Sequence, residues 1–411
     1  MTRCIICDKE ILEELKADTD AEKFCLNTNE HIIPNAIGGY KIVRDFICDG
    51  CNNDAGNKWD AKLSKSFAIL CLIFKIQRQR GKNQPVECIS SQGEVYYWSA
   101  DNSLMKKNKV TLIKSTEDDS TIAYKLSSSD EKWLIKNIKN IEKRYKKIPL
   151  SNEENQELLD KHKQNVDIDY LQSSHSLDKP QYQSMVKTSL AYAYSIGVKK
   201  DYFDKTLSFL KLDDCSFVPF GSYDISDCIV NRPIGIPFHC VAIDADPQSK
   251  LLLGYVEYFG IYRYIIQLSD TYDGQKIHQS YAIDPTSAQE INLDVKFPLD
   301  QIVIQECLNN KYRSDKRLSK RFENMIKAFQ LQPHLEEIKG IIRNTIFEEF
   351  VKNSKEDITK EKPEIFRNIA LETQQFLLNS VLSEFKKEDI PEGQVNQYLT
   401  YYFFNEDENE S

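Results

Sequence analysis

Four cysteines near the N-terminus fall in two pairs, Cys4-x-x-Cys7 and Cys48-x-x-Cys51. Each pair offers two sulfurs from one tight turn, and together they are the donor set of a tetrahedral zinc site. A redox CxxC would need a thioredoxin-like strand–helix–strand context, and none surrounds these pairs. The spacer between them is longer than in ordinary zinc ribbons. Inside it lies "NEHIIPNAIGG" (29–39), where Glu30 and His31 stand together shortly before Pro34 and the Gly38-Gly39 turn signal. An imidazole beside a carboxylate suits proton transfer near neutral pH. Asn52 and Asn53, directly after the second pair, add oxygen donors at the expected start of a helix.

The combination "CIIC…NEHIIPNAIGG…ICDGCNNDAGNKWD" resembles the HNH endonuclease family, in its zinc-ribbon branch. Members share a ββα-metal motif: a strand carrying Asp/Glu-His, a turn, a second strand, then a helix opened by Asn or His. The resemblance covers about residues 4–65. It implies that His31 is the general base for a water attacking a phosphodiester, and that Glu30 binds a divalent metal. Asn52, or its neighbour Asn53, would be the other protein ligand. Oxygen donors favour Mg²⁺ or Mn²⁺ there, whereas zinc on Cys4, Cys7, Cys48 and Cys51 would be purely structural. On a regular strand Glu30 and His31 face opposite sides. Bringing both to one centre requires a distortion near Pro34 and the glycine turn. One departure from the pattern stands out: the family's middle element is usually an Asn on the second strand, and "YKIVRDFICDG" offers only Arg44 and Asp45. Asp60 could assist the metal or anchor the helix.

The implied function is metal-dependent cleavage of DNA, in bacterial anti-phage defence or restriction. Two alternatives stay open. The chain could be a nuclease subunit that is silent until a partner or nucleotide signal acts on it. It could also be a zinc nucleic-acid-binding protein without catalysis.

These groups must be held by the surrounding elements, and the pattern predicts an α+β chain. A zinc-stapled ββα module is expected over 1–65, and a helix from about Asn53 continues through Leu63, Phe67, Leu70 and Phe74. A mixed helix and strand region follows over 66–200. Its strands are "EVYYW", "KVTLIK" and "TIAYKL", and its helices cover 127–147 and roughly 182–196, the latter closed by Gly197. Residues 201–411 hold a β-meander ("FHCVAI", "LLLGYVEYF", "IYRYIIQL", "KIHQSYAI") and a helical C-terminus, expected to sense a signal, bind a partner or grip DNA. His239 and His278 read as satisfied histidines on these strands, and Cys25 as a plain buried thiol.

The 411 residues carry a net charge of −9. Residues 1–65 hold nine Lys and Arg against twelve Asp and Glu, so the motif alone is no DNA-gripping surface. Residues 66–150 hold sixteen against nine. Phosphate contacts supply most non-specific affinity. The candidates are therefore Lys136, Lys139, Lys143, Arg144 and Lys147 on the lysine-rich helix, with Arg317 and Arg321 in the basic stretch 311–321. Solvated helix faces would read the same. No stretch reaches the ~18 apolar residues of a membrane span, and no signal-peptide pattern opens the chain, so a cytoplasmic address is expected.

Overall fold

In the computed structural model, residues 2–16, 19–91, 93–101, 103–107, 109–115, 122–127, 135–137, 171–172, 177–212, 216–224, 226–233, 235–296, 300–326 and 328–330 are described. The chain is α+β, and the described residues form two compact units. One draws on Met1–Leu63, Ile76–Gln79 and Asp178–Ser411; the other on Ser64–Lys75 and Arg80–Leu177. The first unit thus holds both the N-terminal module and the meander.

In the first unit, β1 (Glu10–Leu12) pairs in parallel with β2 (Phe24–Leu26). Strands β3 (Glu30–His31) and β4 (Ile42–Val43) form a short antiparallel pair around the proline–glycine turn. The turn depends on its glycines. Gly38 sits at φ 97°, and a Cβ on Gly39 would lie 1.7 Å from the Ile33 carbonyl oxygen. Helix α1 (Asp49–Ala55) follows, then a π-helical turn (Gly56–Asp60) and α2 (Ala61–Ser66), from whose end the chain enters the second unit with α3 (Ala68–Ile73). The single helix expected here is interrupted at the π turn and at Phe67. In the second unit, β5 (Val86–Ser90), β6 (Val95–Trp98) and β7 (Leu104–Lys106) form an antiparallel sheet. A hairpin of β8 (Lys109–Ser115) and β9 (Ile122–Ser127) follows, and β10 (Leu171–Gln172) joins β5.

Helix α4 (Lys179–Ser195) organises the first unit. Asp178 and Gln181 form a capping box and Pro180 fits the first turn, so the start is fixed locally. Beyond it the helix is buried nearly all round, because it lies between two partners. One side meets the π turn, β3 and β4, and the other packs on the meander. That meander comprises β11 (Phe220–Ser222), β12 (His239–Asp246), β13 (Leu251–Tyr258), β14 (Tyr262–Ser269), β15 (Ile277–Asp284) and β16 (Gln289–Ile291), in the order β11-β14-β13-β12-β15-β16. Helix and sheet approach closely at Gly254, where a Cβ would come 1.8 Å from Ser189 Oγ. The opposite sheet face (Cys240, Ala242, Leu253, Tyr255, Ile265) is covered by Ile304, Cys307 and Leu308 of α5 (Gln301–Leu308, after a short helix Asp204–Lys211). With both faces covered, β12 and β13 read as continuous apolar runs. Residues 315–326 are helical as well.

Candidate functional site

The two cysteine pairs meet. The Sγ atoms of Cys4, Cys7, Cys48 and Cys51 all lie within 4.8 Å of one another. Tetrahedral zinc with bonds of about 2.3 Å sets its sulfurs roughly 3.8 Å apart, and Cys7 Sγ and Cys48 Sγ are 3.8 Å apart. The Cys48 backbone N–H donates to Cys4 Sγ at 3.4 Å, and the Cys51 thiol beside Cys4 lowers its pKa well below the ordinary thiol value. The four cysteines fit a structural zinc ion. Cys25 lies outside the tetrad; it is half-buried and donates its S–H to the Glu10 carbonyl at 3.4 Å.

Glu30 and His31 part company on β3, as strand geometry requires. Glu30 turns inward and is 4% exposed. There it meets Lys187 of α4, whose Nζ forms an ion pair with Glu30 Oε1 and another, at 2.5 Å, with Asp60 Oδ2. Ser184, one turn back on α4, donates to Asp60 Oδ1 at 2.6 Å. Asp60 is thus the anchor of the helix onto α4, delivered by the π turn. Burial works against the Lys187 ammonium, but Asp60 and Glu30 outweigh it and hold its pKa above that of a free lysine. Burial pushes the Glu30 carboxyl up in spite of that ammonium. Lys187 is therefore a cation shared by two carboxylates, of which Asp60 is the less buried.

His31 turns the other way and is partly exposed. Its Nε2 lies 2.9 Å from Oε1 of Gln79. Gln79 is itself held twice over: its backbone N–H donates to Asn35 Oδ1 at 2.9 Å, and its side-chain NH₂ to the Tyr40 carbonyl at 3.3 Å. Arg44 and Asp45, the residues nearest the family's middle position, serve elsewhere. Arg44 pairs with Glu13 at 2.7 Å, and Asp45, at φ 61°, is bound by Asn27 Nδ2 at 2.9 Å. The turn is further clamped from the meander by His239, whose Nε2–H donates to the Ile37 carbonyl at 2.7 Å. His239 Nδ1 accepts from the Phe259 N–H at 3.1 Å, and burial holds this histidine neutral with a pKa of about 4.

Two cysteine knuckles, a Glu-His strand, a glycine turn and a helix that opens at Asp49, so that Cys51 and Asn52 lie in its first turn, are now in one fold. Residues 4–68 match the HNH endonuclease family. No curated protein and no solved structure matches the chain. Within the matched segment Asn52 is partly exposed on α1, and exposed Asn53 donates its amide to Asp49 at 3.1 Å. Of the expected phosphate contacts, Lys136 is exposed, while Lys139, Lys143, Arg144 and Lys147 lie outside the described residues. Arg321 is drawn inward onto Asp224 (2.5 Å) and the Ile261 carbonyl (2.9 Å), and Arg317 donates to the Asp224 carbonyl. Among the described residues no helix is long and apolar enough to cross a membrane.

Lys187 and Gln79 carry no motif. Lys187 had one signal: it is the sole charged residue between Lys179 and Lys199, a cation inside an otherwise neutral helix. Gln79 lies beyond the matched segment, in a polar stretch that reads only as a helix terminator.

Proposed function

We propose that this chain is an HNH endonuclease that hydrolyses DNA phosphodiester bonds, with His31 as the general base. The observation that carries the reading is the state of His31: a partly exposed imidazole, fixed by a side-chain partner, on a strand of the same compact unit as the four-cysteine site. The zinc on Cys4, Cys7, Cys48 and Cys51 holds strand and helix together, because so short a motif lacks a core of its own.

A hydrolytic ion such as Mg²⁺ or Mn²⁺ would stabilise charge at the phosphate and needs oxygen donors. The arrangement fits such an ion poorly. Among the described residues no second group of three His, Cys, Asp or Glu donors comes together, and Glu30 is committed to Lys187. Asn52 and Asn53 remain the solvent-reachable oxygen donors of the motif, and the chemistry assigned here is that of His31 alone. The grip on DNA we assign to the basic stretch around Lys136, and the defence or restriction setting to the family resemblance.

The test is incubation of the full chain with plasmid, with and without Mg²⁺ or Mn²⁺, beside His31→Ala. Cleavage that His31→Ala lowers by roughly 10²–10⁴-fold supports the reading. A mutant that cuts at the wild-type rate removes His31 as the base. A chain that binds DNA and never cuts it favours the non-catalytic alternative.

A further inference from the structure

From the hydrogen bonds around the β3–β4 turn we infer that Gln79 is the positioning residue of His31, fixing its neutral ring with the proton on Nε2 and the lone pair on Nδ1. The inference rests on the proposed function, in that it names how the general base of that reading is held.

The argument is one of donors and acceptors. Gln79 has one carbonyl oxygen and one NH₂ on its side chain. The NH₂ faces the Tyr40 carbonyl, which can only accept. The opposite orientation would set two carbonyl oxygens against each other. Oε1 therefore faces His31 Nε2 at 2.9 Å, and a contact with an acceptor-only oxygen requires a proton on that nitrogen. The neutral ring then has its free lone pair on Nδ1. The Gln79 backbone is tied as well, by its N–H to Asn35 Oδ1, which fixes the root of the side chain beside the turn that β3 leads into. Gln79 thus meets the turn through three hydrogen bonds, at Asn35, Tyr40 and His31. Neither Arg44 nor Asp45 reaches the ring, and the role left open on the second strand is supplied from a short segment, Ile76–Gln79, of the same compact unit.

In the reaction the attacking water forms its bond to phosphorus as it gives a proton to Nδ1. The bond from phosphorus to the leaving 3′ oxygen breaks, and that oxygen takes a proton from solvent. Nε2 keeps its proton throughout, with Gln79 Oε1 accepting the hydrogen bond as the ring becomes cationic.

The test combines spectroscopy and kinetics on the full chain. Ring-¹⁵N-labelled histidine separates a protonated nitrogen from a lone-pair nitrogen, and His31→Ala assigns the signals among the six histidines. At a pH where the ring is neutral, wild type should show Nε2 protonated and Nδ1 bare. In Gln79→Ala the two shifts should draw together, and kcat for plasmid cleavage should fall roughly five- to tenfold, the worth of one hydrogen bond, with KM little changed. A wild-type ring protonated on Nδ1, or shifts that Gln79→Ala leaves unmoved, overturns the inference whatever the nuclease activity. If His31→Ala retains cleavage while the shifts behave as expected, the positioning stands and the proposed base fails.

Discussion

Replacing Lys187 by methionine keeps the length of the side chain and removes its charge. Lys187 is 1% exposed at its side chain, against 6% for Glu30 and 17% for Asp60, so both carboxylates would be left in a poorly solvated place without a counter-ion. Removing one partner of a buried pair typically costs about 3–5 kcal/mol. For a unit of about 300 residues each kcal/mol lowers the melting temperature by a little under about 2 °C, so a drop of roughly 5–8 °C is expected by circular dichroism near neutral pH. The deficit should also depend on pH. A carboxyl whose folded pKa is raised destabilises the fold as pH rises through that value, so in Lys187→Met the deficit should be greatest near neutrality and shrink as pH falls into the carboxylate range. Adding Glu30→Gln and Asp60→Asn to the same chain should recover most of the loss, since no charge is then buried. A Lys187→Met protein that melts within about 3 °C of wild type at neutral pH would refute the reasoning. It would mean that Glu30 and Asp60 reach water or another cation.

Three further outcomes follow from the same structure. Cys48→Ser should lose zinc by elemental analysis and destabilise the N-terminal module; retention of one zinc per chain would exclude Cys48 as a ligand. His239, held neutral with a folded pKa of about 4 against an ordinary 6.5, makes the unfolded chain the better proton acceptor between those values. Stability should therefore fall by up to about 3 kcal/mol as pH drops from 6.5 to 4, and melting curves of His239→Gln should be flatter across that window. Gly254→Ala should destabilise the first unit, because its Cβ would meet Ser189 Oγ at 1.8 Å, and Ser189→Gly in the same chain should relieve it; an unchanged melting temperature for the single mutant would mean that α4 and β13 separate at little cost.

What the sequence disclosed was whatever repeats at a short, fixed spacing. Cys4-x-x-Cys7 and Cys48-x-x-Cys51 name their own geometry, and the meander strands were legible from apolar runs parted by turn residues such as those around Asp246 and Asp273. The helix Lys179–Ser195 was readable at its end, from Gly197, whereas its start was expected near 182 because the Asp178–Gln181 cap went unread. The residues that complete the site were not, because each comes from far along the chain. Lys187 reaches Glu30 across 157 positions, His239 reaches Ile37 across 202, and Gln79 reaches His31 across 48. No local period predicts such meetings. The opposite directions of Glu30 and His31 were foreseeable from the strand alone, but the partner awaiting Glu30 was not. The π turn at Gly56–Asp60 was missed for a related reason: apolar spacing further along the helix suggested one unbroken rod, and the contacts of Ser184 and Lys187 with Asp60 at its end come from far along the chain.

If His31 is the base of a nuclease, plasmid cleavage by the full chain must collapse in His31→Ala when the two proteins are matched for bound zinc and melting temperature. The expected result is nicking or linearisation by the wild-type chain and a loss of roughly 10²–10⁴-fold in the mutant, with zinc content unchanged. Equal cleavage by the two proteins would contradict it.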